Sequence, residues 1–136
     1  MSVENLAVVR AIYDAFATGD IAGVLARFHP EIVWREAENF PYADRNPYRG
    51  PKAVAEGVFM RCATEWDGFA VEIDEILDAG TAILALGRYA GVYRATGRRQ
   101  HPQMVHVWRV KDGLATEFQQ YVDTLHVARC VGAVPG

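Results

Sequence analysis

His106-Val107-Trp108-Arg109-Val110 and Phe118-Gln119-Gln120-Tyr121-Val122-Asp123, joined through the turn Lys111-Asp112-Gly113, form the stretch that decides the fold. Both runs are rich in β-branched and aromatic residues, and the turn between them carries an Asp-Gly pair, so they read as two strands of a hairpin. Alternate side chains of a strand face opposite sides. By that alternation one side of the hairpin collects His106 and Trp108 together with Gln119, Tyr121 and Asp123. An imidazole, an indole, an amide, a phenol and a carboxylate in an otherwise apolar wall read as the lining of a pocket. Burying such groups is costly unless each is paired or used.

The remaining composition bounds what such a pocket belongs to. The 136 residues suit a single domain, 1–136, and 51% of them are hydrophobic, enough for one sizeable core. Aromatics make up 11%, enough to line a cavity as well as fill a core. The net charge is −3, with acids and bases mixed along the chain, so no electrostatic drive toward nucleic acid is present. The same balance argues against a polybasic membrane anchor, and no apolar stretch approaches bilayer-crossing length. Cys62 and Cys130 have no metal-type spacing. They read as two free thiols, with a single disulfide as the alternative. Met1-Ser2-Val3-Glu4-Asn5 shows no basic region followed by an apolar run. The expectation is a soluble, cytoplasmic protein.

Upstream of the hairpin the periods change. Leu6, Val9, Tyr13 and Phe16 recur at steps of three and four and predict an amphipathic helix, stopped by Gly19. Asp20 caps a short second helix with Ile21, Val24, Leu25 and Phe28 on one side and Pro30 at its end. Glu31 to Glu36 reads as a strand. The segment from Phe40 to Pro51 reads as a long proline-rich aromatic loop of the kind that often serves a site. Pro51 suits the first turn of a helix whose face carries Val54, Val58 and Cys62, with Phe59 and Trp66 beside them. Strands follow: one around Phe69 to Asp74, a long one from Thr81 to Arg94 with Gly87 and Gly91 marking bulges or bends, then the hairpin. Thr124 to Val131 reads as a terminal helix. Helices set before a mostly antiparallel sheet give an α+β domain. A strongly bent sheet wrapped around a long helix would leave a cone open at one end to a small ligand.

Ala17-Thr18-Gly19-Asp20, Ile32-Val33-Trp34, Tyr48-Arg49-Gly50-Pro51 and His106-Val107-Trp108 with Asp112-Gly113, in this order and spacing, resemble the SnoaL-like and ketosteroid-isomerase-like proteins. These share the cone-shaped fold named after nuclear transport factor 2. The resemblance covers nearly the whole chain and implies that fold, but it does not choose among the isomerases, cyclases, hydrolases, dehydratases and non-enzymatic subunits built on it. Ketosteroid isomerases combine a carboxylate base with a tyrosine and a protonated aspartate as oxyanion donors. Counting from Gly19-Asp20, the resemblance puts the base on Glu36 and the first-helix tyrosine position on Ile12, with Tyr13 one residue off and on another face. It puts the late-strand donor on or next to His106. It also implies an acid/base aspartate on the last strand, where Asp123 lies.

Each candidate has an ordinary structural alternative. Asp123 is either an acid/base or the N-cap of the terminal helix. Glu36 is either a base or one half of an ion pair with Arg35 or Arg49. His106 either stabilises an oxyanion, or relays a proton with Asp123, or is a satisfied core residue. Trp34, Phe59, Trp66, Tyr89, Trp108 and Tyr121 either stack on a flat substrate or fill the core. Gln119 joins them as a lining group, and Tyr42 sits on the loop as a lid or as packing. Scattered histidines without a ligand pattern give no sign of a metal, and no cofactor is signalled. The resulting expectation is a cofactor-independent isomerase or cyclase that uses carboxylate and histidine chemistry on a small apolar carbonyl compound. Hydration or epoxide opening is a variant of it. A non-catalytic ligand-binding or dimerisation module is the alternative, and a homodimer is expected under either.

Overall fold

The computed structural model describes residues 2–136. In chain order these form α1 (Ser2–Ala17), α2 (Ile21–Leu25), β1 (Phe28–Arg35), a 3-10 turn (Pro41–Arg45) and β2 (Tyr48–Arg49). A continuous helix follows in three parts: α3 (Pro51–Val54), a π-helical turn (Ala55–Phe59) and α4 (Met60–Glu65). Then come β3 (Trp66–Asp78), β4 (Ile83–Tyr93), β5 (Arg99–Gln100), β6 (Gln103–Lys111), β7 (Leu114–Val122) and α5 (Thr124–Val131). The order is helices first and a strand meander after, an α+β arrangement.

Local chemistry sets the helix ends. Gly19 leaves α1 at φ 77°, a conformation that costs glycine nothing. The Asp20 carboxylate then accepts the backbone N–H of Gly23, capping α2. The seven strands run in the order β2-β1-β7-β6-β4-β3, with β5 beside β4. Among the described residues only β1 and β7 pair in parallel; every other pair is antiparallel. The sheet curves around α1, and the core sits between that helix, the α3–α4 segment and the inner face of the strands. Val9, Ile32, Val54, Trp108 and Phe118 are almost wholly buried there. No helix among the described residues is long and apolar enough to cross a membrane.

The curvature has a visible origin. Ladder register between β3 and β4 shifts twice, between Asp67 and Ala70 and between Ile73 and Glu75. The facing residues include Gly91 and Gly87, as the strand glycines predict. At Gly87 the strands approach so closely that an added Cβ would lie 1.9 Å from the carbonyl oxygen of Glu72.

Three expectations are corrected. The second helix stops at Leu25, and Phe28 already begins β1, pairing with Ala115 of β7. Pro30 thus lies inside the strand, in the stretch where the β1–β7 register breaks and no ladder hydrogen is required of it. The segment from Phe40 to Pro51 is not an open loop. It holds a 3-10 turn and a short strand, and Tyr42 and Tyr48 are both buried. The third correction concerns the hairpin. Lys111 pairs with Leu114 and Val110 with Ala115, but Arg109 pairs with Glu117, leaving Thr116 as an extra residue. One inserted residue exchanges the two faces of everything beyond it. Phe118 and Gln120 therefore share the inner face with Trp108 and His106, whereas Gln119 and Tyr121 face outward.

The close approach at Gly87 gives a stability test. Gly87→Ala is expected to lower unfolding free energy by more than about 2 kcal/mol, because the contact is with backbone that cannot step aside. Urea titration measures this; a loss under about 0.5 kcal/mol would show that the two strands part easily there.

Candidate active site

Between α1, the π-helical turn and the inner face of the sheet lies a largely apolar cavity of about 50 Å³. That is several times the space one water molecule needs. Trp34, Phe59, Trp108 and Phe118 give aromatic walls, and the polar atoms come from Tyr13, Glu36, Tyr89, His106 and Gln120. A larger outer groove of about 580 Å³ shares Phe16, Phe59, Cys62 and Phe69 with the cavity and opens between the C-terminal end of α1 and α4.

Glu36 follows the end of β1 directly, in phase with Ile32 and Trp34, so the strand alternation turns it inward. It is 2% exposed. Its Oε2 accepts the indole N–H of Trp34 at 3.0 Å, and its Oε1 has no hydrogen-bond partner among the described residues. The backbone on either side is fixed. The N–H of Glu36 donates to the Asn46 side chain, and the Asn46 amide donates back to the Glu36 carbonyl. The ion pair with Arg35 or Arg49 does not form; Arg35 instead faces Glu117 on the outside. Burial raises the carboxyl pKa to about 7, with the Trp34 hydrogen bond and the more distant charge of Arg61 opposing that shift.

His106 on β6 is enclosed in the centre of the cavity wall. Its Nδ1 lies 2.6 Å from the hydroxyl of Tyr13, and its Nε2 lies 2.6 Å from the hydroxyl of Tyr89. Trp108 donates its indole N–H to the Tyr13 oxygen, and Gln120 donates its amide N–H to the Tyr89 oxygen. Gln120 in turn accepts the backbone N–H of Ala37. Desolvation lowers the His106 pKa to about 3 and raises those of both tyrosines. The ring is therefore neutral at pH 7.

The structure brings together Glu36, His106, Trp34, Phe59, Tyr89 and Trp108 from the residues that the sequence singles out. It does not bring Asp123, Gln119, Tyr121, Trp66 or Tyr42 to them. Asp123 is exposed and accepts the backbone N–H of His126 at 3.1 Å, the N-cap of α5. The proton relay between His106 and Asp123 is thus overturned: tyrosines occupy both imidazole nitrogens. Tyr121 is 57% exposed on the outer face. Gln119 donates to the backbone carbonyl of Gln120 and does not line the cavity. Tyr42 is buried away from the cavity; its hydroxyl donates to Glu65 and accepts from the indole of Trp66.

Tyr13, Phe118 and Gln120 complete the site. Tyr13 belongs to the stripe Leu6, Val9, Tyr13, Phe16, and that stripe alone is the signal placing it on the core side of α1. The other two depend on strand register. The π-helical turn sets Phe59. Gly57 within it lets the Tyr48 ring pack where any side chain would collide, and Arg61 Nε donates to the Gly57 carbonyl. Arg61 also holds Asp44 through both terminal nitrogens, locking the 3-10 turn to the helix. No group of three or more metal-type ligands occurs among the described residues.

An α+β cone with a carboxylate, an imidazole and two phenols in an apolar interior defines a class of small-cavity proteins. A family model described as a SnoaL-like domain matches residues 9–118, and the chain belongs to that family. It is similar to an NTF2-like protein from Burkholderia thailandensis, with 38% identity over 90% of this chain and 93% of the other, at a TM-score of 0.86. An NTF2-like protein of unknown function from Burkholderia pseudomallei shares 29% identity over 94% of this chain and 97% of that one, at a TM-score of 0.84. TerC, co-crystallised with polyporic acid, shares the fold at 24% identity and a TM-score of 0.83, with 95% of this chain and 98% of TerC covered. Among curated proteins, none matches.

Two outcomes follow. Folding raises the Glu36 pKa, so the cost of its burial is absent below about pH 4.5 and grows until about pH 7, where it is fully present. Glu36→Gln should therefore stabilise the protein at pH 8, by up to roughly 3 kcal/mol, and change little at pH 4. Thermal melts at both pH values read this; an equal effect at both would mean that the carboxyl is not desolvated. Asp123→Ala should cost about 1 kcal/mol through the lost cap, while Asp123→Asn, still able to cap, should be near neutral in the same melts.

Proposed function

We propose that this protein is a cofactor-independent enzyme of isomerase or cyclase type. It moves a proton at the carbon beside a carbonyl in a small, largely apolar compound. The observation that carries the reading is Glu36: a carboxyl buried in an aromatic cavity, with one oxygen held by Trp34 and the other unpartnered among the described residues. Its pKa of about 7 leaves a useful fraction ionised at neutral pH and makes it a far stronger base than an exposed carboxylate. Ionised Glu36 takes the proton from carbon through its unpartnered oxygen, and the negative charge moves to the carbonyl oxygen. The protonated carboxyl then returns the proton to another carbon of the same molecule. The aromatic walls hold the flat intermediate and keep water from quenching it.

Deuterium exchange tests the reading. Small apolar ketones incubated with the protein in D2O should gain deuterium beside the carbonyl, followed by NMR. Glu36→Gln should slow that exchange at least about 100-fold. Exchange equal in the variant and the parent would remove Glu36 from the chemistry. Ketone binding without any exchange would leave a ligand-binding module.

A further inference from the structure

His106 is enclosed by protein, and both of its ring nitrogens face phenol oxygens, Nδ1 that of Tyr13 and Nε2 that of Tyr89. Among the described residues no carboxylate contacts the ring, so it is neutral and carries a single N–H. Each tyrosine oxygen already accepts one hydrogen bond, Tyr13 from Trp108 and Tyr89 from Gln120. The Gln120 amide cannot be turned over, because its oxygen accepts the N–H of Ala37. Two phenols and one imidazole supply three hydrogens to this chain, and the two short hydrogen bonds inside it use two. One hydroxyl hydrogen is left, on whichever tyrosine accepts from the imidazole. Both tyrosines line the cavity.

Glu36 decides which one it is. Its negative charge acts on the phenol of Tyr89, whereas burial and the Trp108 hydrogen bond alone govern Tyr13. Gln120 also ties the Tyr89 oxygen to Ala37, the residue next to Glu36. A hydroxyl in the field of a carboxylate turns its hydrogen toward the charge rather than its lone pairs. His106 Nε2–H then donates to Tyr89, Tyr13 donates to Nδ1, and the Tyr89 hydrogen is left free in the cavity that Glu36 also lines.

We propose that the Tyr89 hydroxyl is the hydrogen-bond donor for the ligand's carbonyl oxygen, and that His106 is a positioning residue whose Nε2–H form frees that hydroxyl. This rests on the reading of Glu36 as the base. It narrows the ligand to ketones, enones and their enols, with the oxygen two bonds from the carbon that Glu36 deprotonates. In the step, the carbon–hydrogen pair becomes the new carbon–carbon π bond and the carbonyl π pair moves onto oxygen. The proton rests on Glu36. Tyr89 keeps its own hydrogen and stabilises the enolate by donating it in a hydrogen bond, placed where charge develops.

The test compares cyclohexanone with methylenecyclohexane, which matches it in shape and lacks the acceptor, by ligand-observed NMR titration. The parent protein should prefer the ketone about tenfold, the worth of one hydrogen bond. Tyr89→Phe should abolish that preference and Tyr13→Phe should keep most of it. Independently of any variant, 15N NMR of the parent protein at pH 7 should show His106 protonated at Nε2 and bare at Nδ1. No ketone preference in the parent, equal behaviour of the two variants, or an Nδ1-protonated or doubly protonated ring would overturn the proposal. The two readings fail separately. Ketone preference that vanishes in Tyr89→Phe without any deuterium exchange would sink only the base. Exchange dependent on Glu36, with a preference indifferent to Tyr89→Phe, would sink only the donor.

Discussion

One unbroken run of hydrogen bonds crosses the interior: Trp108 to Tyr13, Tyr13 with His106, His106 with Tyr89, Gln120 to Tyr89, and Ala37 to Gln120. It links α1, β6, β4, β7 and the end of β1. From His106 to Ala37 it is buried, and leaving a buried member without a partner would cost about 1–3 kcal/mol. Such a run tolerates little sliding of one element against another. Helix α1 packs its apolar stripe onto the sheet through contacts with no directional preference, whereas the Tyr13 hydroxyl has to meet both an indole and an imidazole. The directional bonds thus set the helix position that hydrophobic burial leaves loosely defined, and the shape of the cavity follows from that position.

The same desolvation acts on the two ionisable groups in opposite senses. It drives His106 toward the neutral ring and Glu36 toward the neutral acid. Near pH 7 the imidazole is therefore uncharged, while the carboxyl stays near the midpoint of its titration. Nothing else in the fold asks for a carboxylate at that depth. A glutamine would keep an acceptor for the Trp34 indole without the penalty. A buried acid retained at a cost to stability is characteristic of a group kept for its chemistry.

Much of this was legible in the sequence, and the limits have identifiable causes. The stripe on α1, the cap at Asp20, the strand glycines and the alternation through Ile32, Trp34 and Glu36 are local signals, and the structure follows them. The aromatic hairpin correctly announced a wall with polar groups in it. What failed was the face assignment in β7, because the single bulge at Thr116 carries no sequence mark, and it moved Gln119 and Tyr121 outward in favour of Phe118 and Gln120. Asp123 shows a different limit. An aspartate before Thr124 satisfies a helix-cap pattern and a catalytic pattern equally well, and only the placement of α5 separates them. The partners of His106 were out of reach in principle, since Tyr13 lies 93 residues away and meets it only after the sheet has curved.

The π-helical turn between Val54 and Met60 has an evolutionary consequence. A π-turn holds one residue more than a regular helical turn needs. Loss of a single codon within Ala55–Phe59 would restore ordinary helix and leave α3 and α4 in nearly the same relative orientation, because the wide turn already absorbs the extra residue. Only the wall that carries Val58 and Phe59 would be reshaped, and no strand would have been touched. Lineages with this scaffold thus have a one-step genetic route to a differently shaped interior, by deletion rather than by substitution.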